Sequence, residues 1–310
     1  MTRATILASA HGPLIRLALL EAGTLVEYTL LNPAQPDGVG DLYTGRITAR
    51  APAMAGVFVD LGPHTPTGFL PDSAGGKSAH EGDWLTLRIT RAAQSGKGPR
   101  LAADPLAPDA SSPPTPKPGL LARGPGPLGT LQALHPTAPI LADDYAILAA
   151  LRASHPHATY QANCFAALED EIAALAEPHS PLPGGAIAHF SPTQALTAID
   201  IDAAHATADR TAKHRTPQHD AHARLNRAVI PELARQIRLR NFGGAILIDF
   251  AGMKANARAA LAPDLTAALA TDPQRPRLLG FTALGFAEIL RPRTRAPLHE
   301  LLAQHQIIAP

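Results

Sequence analysis

Three aspartates stand at the ends of two apolar segments that are predicted to be β-strands. Asp200 and Asp202 end the segment 195–202, and Asp249 lies near the end of the segment 243–250. Because side chains alternate between the two faces of a strand, the aspartates are predicted to lie opposite the isoleucines of each segment. Carboxylates gathered at the edge of a sheet are hard oxygen ligands of the kind that hold Mg2+ or Mn2+ against a phosphate. The alternative is that all three are solvated strand-end acids in turns.

Length and composition limit the class of protein. The chain has 310 residues, of which 45% are hydrophobic, which is enough for a large buried core and two or three domains. No apolar run reaches about 18 residues and the N-terminus does not resemble a signal peptide, so no membrane span is predicted. The single cysteine, Cys164, allows no internal disulfide and no cysteine-based zinc site within one chain. These features favour a cytoplasmic globular protein.

Charge is unevenly distributed along the chain. Residues 201–310 contain 15 lysines and arginines against 9 acidic residues, whereas residues 1–200 contain 12 against 17. The basic region follows the first acidic strand end directly. A positive surface around a small acidic pocket suits a polyanion held by a metal ion. Individual arginines are also ordinary on solvated helix surfaces.

Residues 40–104 are predicted to form a small β-barrel of short strands separated by glycine turns. The motifs that resemble an S1-type RNA-binding domain, an OB-fold, are Tyr43-x-Gly45-x-Ile47, Phe58-Val-Asp-x-Gly62 and Gly68-Phe-Leu-Pro71. The resemblance implies that Phe58 and Phe69 stack on RNA bases and that Lys97 contacts phosphates. Phe58 is flanked by valines, and an aromatic residue in a small barrel is also commonly part of the core.

Two further segments bear on the organisation of the chain. Residues 105–128 are rich in proline and glycine and are predicted to be a linker. Residues 221–241 are predicted to form an amphipathic helix with arginines outside its apolar stripe, and Pro231 predicts a kink or a break in it. The polar segment 203–222, whose last residues overlap this helix, contains His219-x-x-His222. That spacing suits a metal site, but a solvated loop is the simpler interpretation because the pair lacks a clear third ligand.

Several motifs, in one order along the chain, resemble the ribonuclease E/G family. They are Pro183-Gly-Gly-Ala-Ile187, the segment 192–202, Asn226-x-Ala228 and the segment 233–250. The resemblance implies a metal-dependent endoribonuclease in which Asp200 and Asp249 hold Mg2+, or Mn2+, and Asp202 takes a third catalytic position. That third residue is usually asparagine in the family. The aspartate keeps an oxygen ligand, removes an amide donor and adds a negative charge.

The resemblance also implies a multidomain α+β fold. It consists of a nuclease-type αβ sandwich, a ribonuclease-H-like subdomain and an inserted S1-type OB-fold β-barrel. The predicted domains are 1–39 and 129–178 for the two parts of the ribonuclease-H-like subdomain, 40–104 for the S1-type domain, 105–128 for a Pro/Gly-rich linker with a reduced sensor of RNA 5′ ends, and 179–310 for the catalytic domain.

The implied partner is single-stranded RNA. Two arginines of the predicted helix and two of the C-terminal basic run would neutralise its phosphates. They are Arg227, Arg238, Arg291 and Arg293. Arg123 matches an arginine of the family's 5′ sensor, but Gly124 replaces a threonine and the flanking sequence is missing, so we expect weak 5′ sensing or none. The family's zinc link between subunits and its degradosome scaffold tail have no counterpart in this sequence, so we expect no zinc and leave oligomerisation by other contacts open.

Two alternatives to the nuclease follow from the same residues. One is an RNA-binding protein of the same fold whose catalysis is weak or lost, which Asp202 and the reduced sensor favour. The other is a metal phosphoesterase that acts on a small phosphodiester, which would leave the S1-type barrel without a role. Cleavage of labelled single-stranded RNA in Mg2+, with an EDTA control, distinguishes the nuclease from the binding protein.

Overall fold

The computed structural model describes residues 4–94, 96–104, 117–203 and 218–305, which form a mixed α+β fold. The strands are β1 (Ala4–His11), β2 (Leu14–Glu21), β3 (Thr24–Leu31), β4 (Leu42–Ala51), β5 (Gly56–Asp60), β6 (Gly68–Pro71), β7 (Trp84–Arg91), β8 (Arg100–Ala103), β9 (Gly119–Ala122), β10 (Ile140–Ala142), β11 (Thr159–Tyr160), β12 (His179–Pro181), β13 (Ile187–Pro192), β14 (Leu196–Asp202), β15 (Gly244–Asp249), β16 (Arg277–Phe281) and β17 (Ala287–Arg291). The helices are α1 (Gly126–Leu134), α2 (Tyr145–Arg152), α3 (Glu169–Ala174), α4 (Gln218–Leu239), α5 (Ala255–Arg258), α6 (Ala262–Leu269) and α7 (Leu298–Gln304). Short 3-10 turns occur at Pro52–Met54, Asp72–Ala74, Ala166–Leu168, Pro183–Gly185 and Ala259–Leu261.

The chain folds into two compact units. The first comprises the residues up to Leu17, Leu30–Ala162 and Thr294–Ala296. The second comprises Ala18–Thr29, Asn163–Arg293 and the residues from Pro297 onward. One sheet has the strand order β11-β10-β1-β2-β3, in which β10 pairs in parallel with both β1 and β11. Within the described residues, no helix is both long enough and apolar enough to cross a membrane.

A closed five-stranded barrel forms the centre of the first unit. Its strands follow the order β5-β6-β8-β7-β4, and a further pairing of β4 with β5 closes the ring. Strand β9 pairs with the first residues of β4, Leu42 to Thr44. The barrel core consists of Tyr43, Ile47, Val57, Val59, Leu61, Leu70, Ala79, Leu87, Ile89 and Leu101. The predicted small β-barrel is therefore confirmed as a closed barrel, which is consistent with an OB-fold.

A six-stranded sheet forms the centre of the second unit, with the order β12-β13-β14-β15-β17-β16. Strands β14 and β15 pair in parallel, and the other neighbours pair antiparallel. One face of this sheet shares a hydrophobic core with α4 and α6, through side chains such as Ile199, Ile248, Leu233 and Leu265. Helix α4 continues through Pro231, so the proline does not end the helix.

Two arginines that were expected to bind RNA are buried in the second unit. Arg291 is 1% exposed, and its Nε donates to Asp272 Oδ2 at 2.7 Å. Arg238 is 6% exposed and donates from Nε to Glu27 Oε1 at 2.8 Å. Burial raises the pKa of Glu27, and the charge of Arg238 opposes this rise. Both guanidinium groups therefore stabilise the fold and neither is exposed to an RNA phosphate, which corrects the expectation for these two residues.

The buried Arg291–Asp272 pair predicts a large effect on stability. Arg291→Met should lower the free energy of unfolding by about 3–5 kcal/mol, because it leaves the Asp272 carboxylate buried without its cationic partner. Urea denaturation followed by circular dichroism measures this change. Arg277→Met is the matched control on β16, and its exposed side chain should change the free energy by less than about 0.5 kcal/mol. Similar small losses in both variants would contradict the role of the pair.

Candidate active site

The pairing of strands β14 and β15 brings two aspartates of the candidate site together. In the parallel ladder between β14 and β15, Asp200 lies directly opposite Asp249. Residues in register on parallel strands project from the same face, so the two carboxylates are neighbours. The adjacent residues Ile199 and Ile248 point to the other face, where they are buried in the core. The carboxylates therefore lie on the face of the sheet that is turned away from this core, as the alternation of the sequence predicted.

The paired aspartates open into a cleft of about 460 Å³. Its polar side chains are those of Asp200, Asp202, Asp249, His222 and Arg258. The remaining lining is apolar side chain and backbone from the ends of β14 and β15. All three aspartates selected from the sequence thus converge on one concave surface, which we call the acidic cleft.

One wall of the acidic cleft is an ion pair. Arg258, at the end of α5, donates from Nη1 to Asp249 Oδ1 at 2.5 Å. The same guanidinium group donates to the carbonyl oxygens of Met253 and Gly285, at 3.0 and 3.2 Å. The Arg258 side chain is 12% exposed and that of Asp249 is 41% exposed. Arg258 therefore fixes the orientation of one carboxylate and offsets part of the negative charge of the cleft.

Helix α4 holds the backbone that follows Asp249. Asn226 is fully buried and donates from Nδ2 to the carbonyl oxygen of Ala251 at 2.8 Å. The next residue, Gly252, has a φ of +60°, and the ring of His222 lies against it. The side chains of the helix thus fix the segment that forms the floor of the acidic cleft.

The aromatic residues predicted to bind RNA lie together on the barrel of the first unit. Phe58 and Phe69 are in register on β5 and β6, and their half-buried rings meet edge to face with centroids 5.7 Å apart. The valines on either side of Phe58 belong to the core, so this ring is on the outer side of the barrel. Lys97 is exposed. Arg100, which we did not select from the sequence, is exposed and in register with Phe69.

Three other predicted RNA-binding residues have partners within the protein. Arg123 donates to Asp41 Oδ2 at 2.7 Å, and the N–H of Gly124 donates to the other oxygen of that carboxylate at 2.7 Å. Arg227 is exposed and pairs with Asp264 at 3.3 Å. Arg293 is partly exposed and donates to the carbonyl oxygens of residues 243 and 195. Arg227 differs from Arg123 in that its carboxylate partner is exposed, whereas Asp41 is buried.

Two residues of the acidic cleft were not predicted. His222 was assigned to a solvated loop, yet it lies on α4, four residues before Asn226, and so on the same helix face. Helical spacing from Asn226 was the signal that could have placed it. The side chain of His219, the other histidine of that spacing, lies outside the described residues. Arg258 had no comparable signal, because its contact with Asp249 depends on how α5 packs.

The donor set of the acidic cleft fits a hard divalent cation. The described residues contain no group of three or more His, Cys, Asp or Glu placed to hold a metal ion. Mg2+ is usually bound by one or two carboxylates together with water and substrate phosphates, so a complete protein cage is not required. The adjacent carboxylates of Asp200 and Asp249 satisfy this requirement, with Asp202 beside them. They could hold Mg2+ or Mn2+ jointly with a phosphate.

Part of this chain is similar to known ribonucleases. Residues 152–294 match the model of the Ribonuclease E/G family. Ribonuclease E of Synechocystis sp. is 34% identical over 129 residues, which cover 41% of this chain and 18% of that protein. Ribonuclease E of Nostoc sp. is 32% identical over 126 residues, or 40% and 18% of the two chains. Ribonuclease G of Escherichia coli is 32% identical over 136 residues, or 44% and 27%. The matched part is thus less than a third of the length of each relative.

The Arg258–Asp249 pair predicts how the acidic cleft binds cations. Arg258→Gln should tighten Mn2+ binding several-fold, because it removes a positive charge and releases a carboxylate oxygen. Titration of the protein with Mn2+, followed by electron paramagnetic resonance of the free ion, measures the affinity. Arg277→Gln removes an exposed arginine that does not line the cleft, and it should leave the Mn2+ affinity unchanged. Unchanged or weaker Mn2+ binding by Arg258→Gln would show that Arg258 does not compete with the cation for the Asp249 carboxylate.

Proposed function

We propose that this chain, of which residues 152–294 match the ribonuclease E/G family, is a Mg2+-dependent endoribonuclease that cleaves single-stranded RNA during RNA processing or decay. The observation that carries the proposal is the in-register pairing of Asp200 with Asp249 in the acidic cleft. The relatives are named ribonucleases, and the matched segment contains every residue that lines this cleft.

Three polar residues of the acidic cleft, and Asn226 behind its floor, have roles in the proposed reaction. Asp200 and Asp249 would hold the divalent ion, which when bound supplies an activated water and offsets charge on the reacting phosphate. Arg258 holds the carboxylate of Asp249 in one orientation and adds a positive charge beside it. Asn226 fixes the backbone at Ala251 and so keeps the floor of the cleft in place. Preorganised charges of this kind are the main source of catalysis in phosphoryl chemistry.

The proposed RNA contacts are fewer than the sequence suggested. On the barrel they are Phe58, Phe69 and Lys97, together with Arg100 beside Phe69. In the second unit they are Arg227 and Arg293, because Arg238 and Arg291 are buried. We retain weak 5′-end sensing as part of the proposal, since Arg123 and the N–H of Gly124 already bind the carboxylate of Asp41.

We propose that the barrel is an S1-type domain over residues 40–104 and that residues 1–39 and 129–178 form a ribonuclease-H-like subdomain. The catalytic domain then occupies residues 179–310, after a linker at 105–128. A cytoplasmic location is proposed with them, because single-stranded RNA would be the substrate.

A second candidate function is RNA binding with weak or lost catalysis. It is favoured by the ion pair at 2.5 Å between Arg258 and Asp249, which occupies one of the two carboxylates proposed to hold the ion. The extra negative charge of Asp202 is a second departure from the family pattern. A gel shift of single-stranded RNA without EDTA-sensitive cleavage would favour this candidate over the nuclease.

The nuclease proposal predicts that removing the carboxylate of Asp249 abolishes RNA cleavage and leaves RNA binding nearly unchanged. Asp249→Asn should lower EDTA-sensitive cleavage of a labelled single-stranded RNA by more than about 100-fold, because it removes an anionic oxygen from the ion. The affinity for RNA should change by less than about twofold, since other residues provide the RNA contacts. Asp170→Asn, an exposed change on α3, should retain full activity. Equal turnover by the wild type and Asp249→Asn would refute the assignment.

The barrel face predicts a separate loss of RNA affinity. Phe69→Ala should weaken binding of single-stranded RNA in EDTA by about 5- to 150-fold, because one stacked base contributes about 1–3 kcal/mol. Fluorescence anisotropy measures the affinity, and a thermal melt confirms that the variant is folded. Tyr145→Ala removes an aromatic side chain that is 70% exposed on α2 of the same unit and serves as the control. Equal affinities for the two variants would exclude Phe69 from the RNA contact.

A further inference from the structure

A histidine enters the acidic cleft from α4. His222 lines the cleft together with Asp200, Asp202, Asp249 and Arg258. Apart from Arg258, it is the only lining side chain within the described residues that carries a nitrogen, because the others are carboxylic or apolar. The composition of the cleft therefore makes His222 one of two side chains able to donate a hydrogen bond to an anion there.

The imidazole ring is seated on a glycine. A Cβ atom built on Gly252 would lie 2.2 Å from Nδ1, 2.4 Å from Cε1 and 2.6 Å from Cγ of His222, so no larger residue allows the ring to remain in this position. The backbone of Gly252 also has a φ of +60°, which disfavours a side chain there. The edge of the ring that carries Nδ1 thus faces the floor of the cleft, and Nε2 lies on the far side of the ring.

The environment of Nδ1 determines which nitrogen carries the proton in the neutral ring. Nδ1 is buried and has no hydrogen-bond partner among the described residues. Oδ1 of Asn226, one helical turn further along α4, is also buried and unpaired. A proton on Nδ1 would create a buried donor without an acceptor, and such donors are rarer in proteins than unpaired acceptors. The favoured tautomer therefore carries its proton on Nε2, away from Gly252.

The existing hydrogen bonds of Arg258 and His222 show which of the two donors can bind a substrate. Arg258 already donates to Asp249 and to two backbone carbonyl oxygens. His222 has no hydrogen bond with any described residue, and only its Nδ1 is buried without a partner. Three carboxylates repel a phosphate, so a substrate in the acidic cleft needs donors on the protein as well as a cation. His222 is the donor that remains available.

We propose that His222 is a substrate-binding residue that donates a hydrogen bond from Nε2 to a phosphate oxygen of RNA in the acidic cleft. The proposal rests on the proposed ribonuclease function and adds a contact to that site. It assigns His222 to the substrate and not to the divalent ion. Gly252 and Asn226 become positioning residues, because one seats the ring and the other holds the backbone under it.

Substitutions that keep or move the distal donor test this contact. His222→Ala should lower kcat/KM for single-stranded RNA by about 10- to 100-fold, the range for a hydrogen bond to a charged group. His222→Gln keeps an N–H donor near the position of Nε2 and should recover most of the loss. His222→Asn places its amide near Nδ1 and should behave like His222→Ala. His179→Ala, an exposed histidine on β12 that does not line the cleft, should match the wild type.

Gly252→Ala tests how the ring is seated. Its methyl group would displace the imidazole, so it should lower kcat/KM in the wild type and have little further effect in the His222→Ala background. Thermal melts of all variants identify any that do not fold, and His222→Gln keeps the proposal testable if Gly252→Ala is unstable. Full activity of folded His222→Ala, or strictly additive losses in the double variant, would overturn the assignment.

A readout that does not depend on catalysis separates this proposal from the nuclease proposal. In protein labelled with 15N-histidine, the signals that His222→Ala removes should show the Nε2–H tautomer, and they should shift when a short single-stranded RNA is added, while those of His179 should not. If the wild type shows no EDTA-sensitive cleavage, the nuclease proposal fails and these signals still decide the contact. If the wild type cleaves RNA but the signals do not respond, the His222 proposal fails alone.

Discussion

The register between β14 and β15 is the constraint on which the acidic cleft depends. A shift of one residue in either strand would turn its aspartates into the core and its isoleucines toward solvent. The core opposes such a shift, because Ile199, Ile201, Ile246 and Ile248 are each at most 3% exposed. Fully burying one such side chain contributes roughly 1.5–3 kcal/mol. The apolar packing on one face of the sheet therefore fixes the carboxylate pair on the other face.

This register also creates an electrostatic cost. Neighbouring strands are about 4.8 Å apart, so the aligned carboxylates of Asp200 and Asp249 repel each other by on the order of 1 kcal/mol at a solvated surface. Arg258 offsets part of that repulsion through its ion pair with Asp249. A divalent cation would offset more of it, because both carboxylates could contribute an oxygen. The fold thus supplies a pair of charges that is more stable with a cation than without one.

Local sequence patterns predicted the strands and the barrel better than they predicted which side chains contact each other. The alternation of apolar and acidic residues in 195–202 and 243–250 gave both strands and the faces of their aspartates, and the glycine-bounded strands of 40–104 gave the barrel. The arginines of the predicted helix were harder, because a helical period does not show which of them meets an acid elsewhere. Arg238 is bonded to Glu27, which lies 211 positions away in the chain. Arg258 and Asp249 are only nine residues apart in the chain, but their contact depends on the turn after β15.

Helix α4 explains why a single segment serves both the core and the acidic cleft. Its apolar side chains, including Val229 and Leu233, pack in the core of the second unit. One turn earlier, Asn226 bonds the backbone after β15, and His222 lies on the glycine that follows. Since burial anchors the helix through Leu225, Val229 and Leu233, the two polar residues Asn226 and His222 are held with little freedom of their own. A substitution that loosens the core would therefore disturb both the floor of the cleft and the carboxylates, because the helix that holds the floor and the strands that carry the carboxylates pack in the same core.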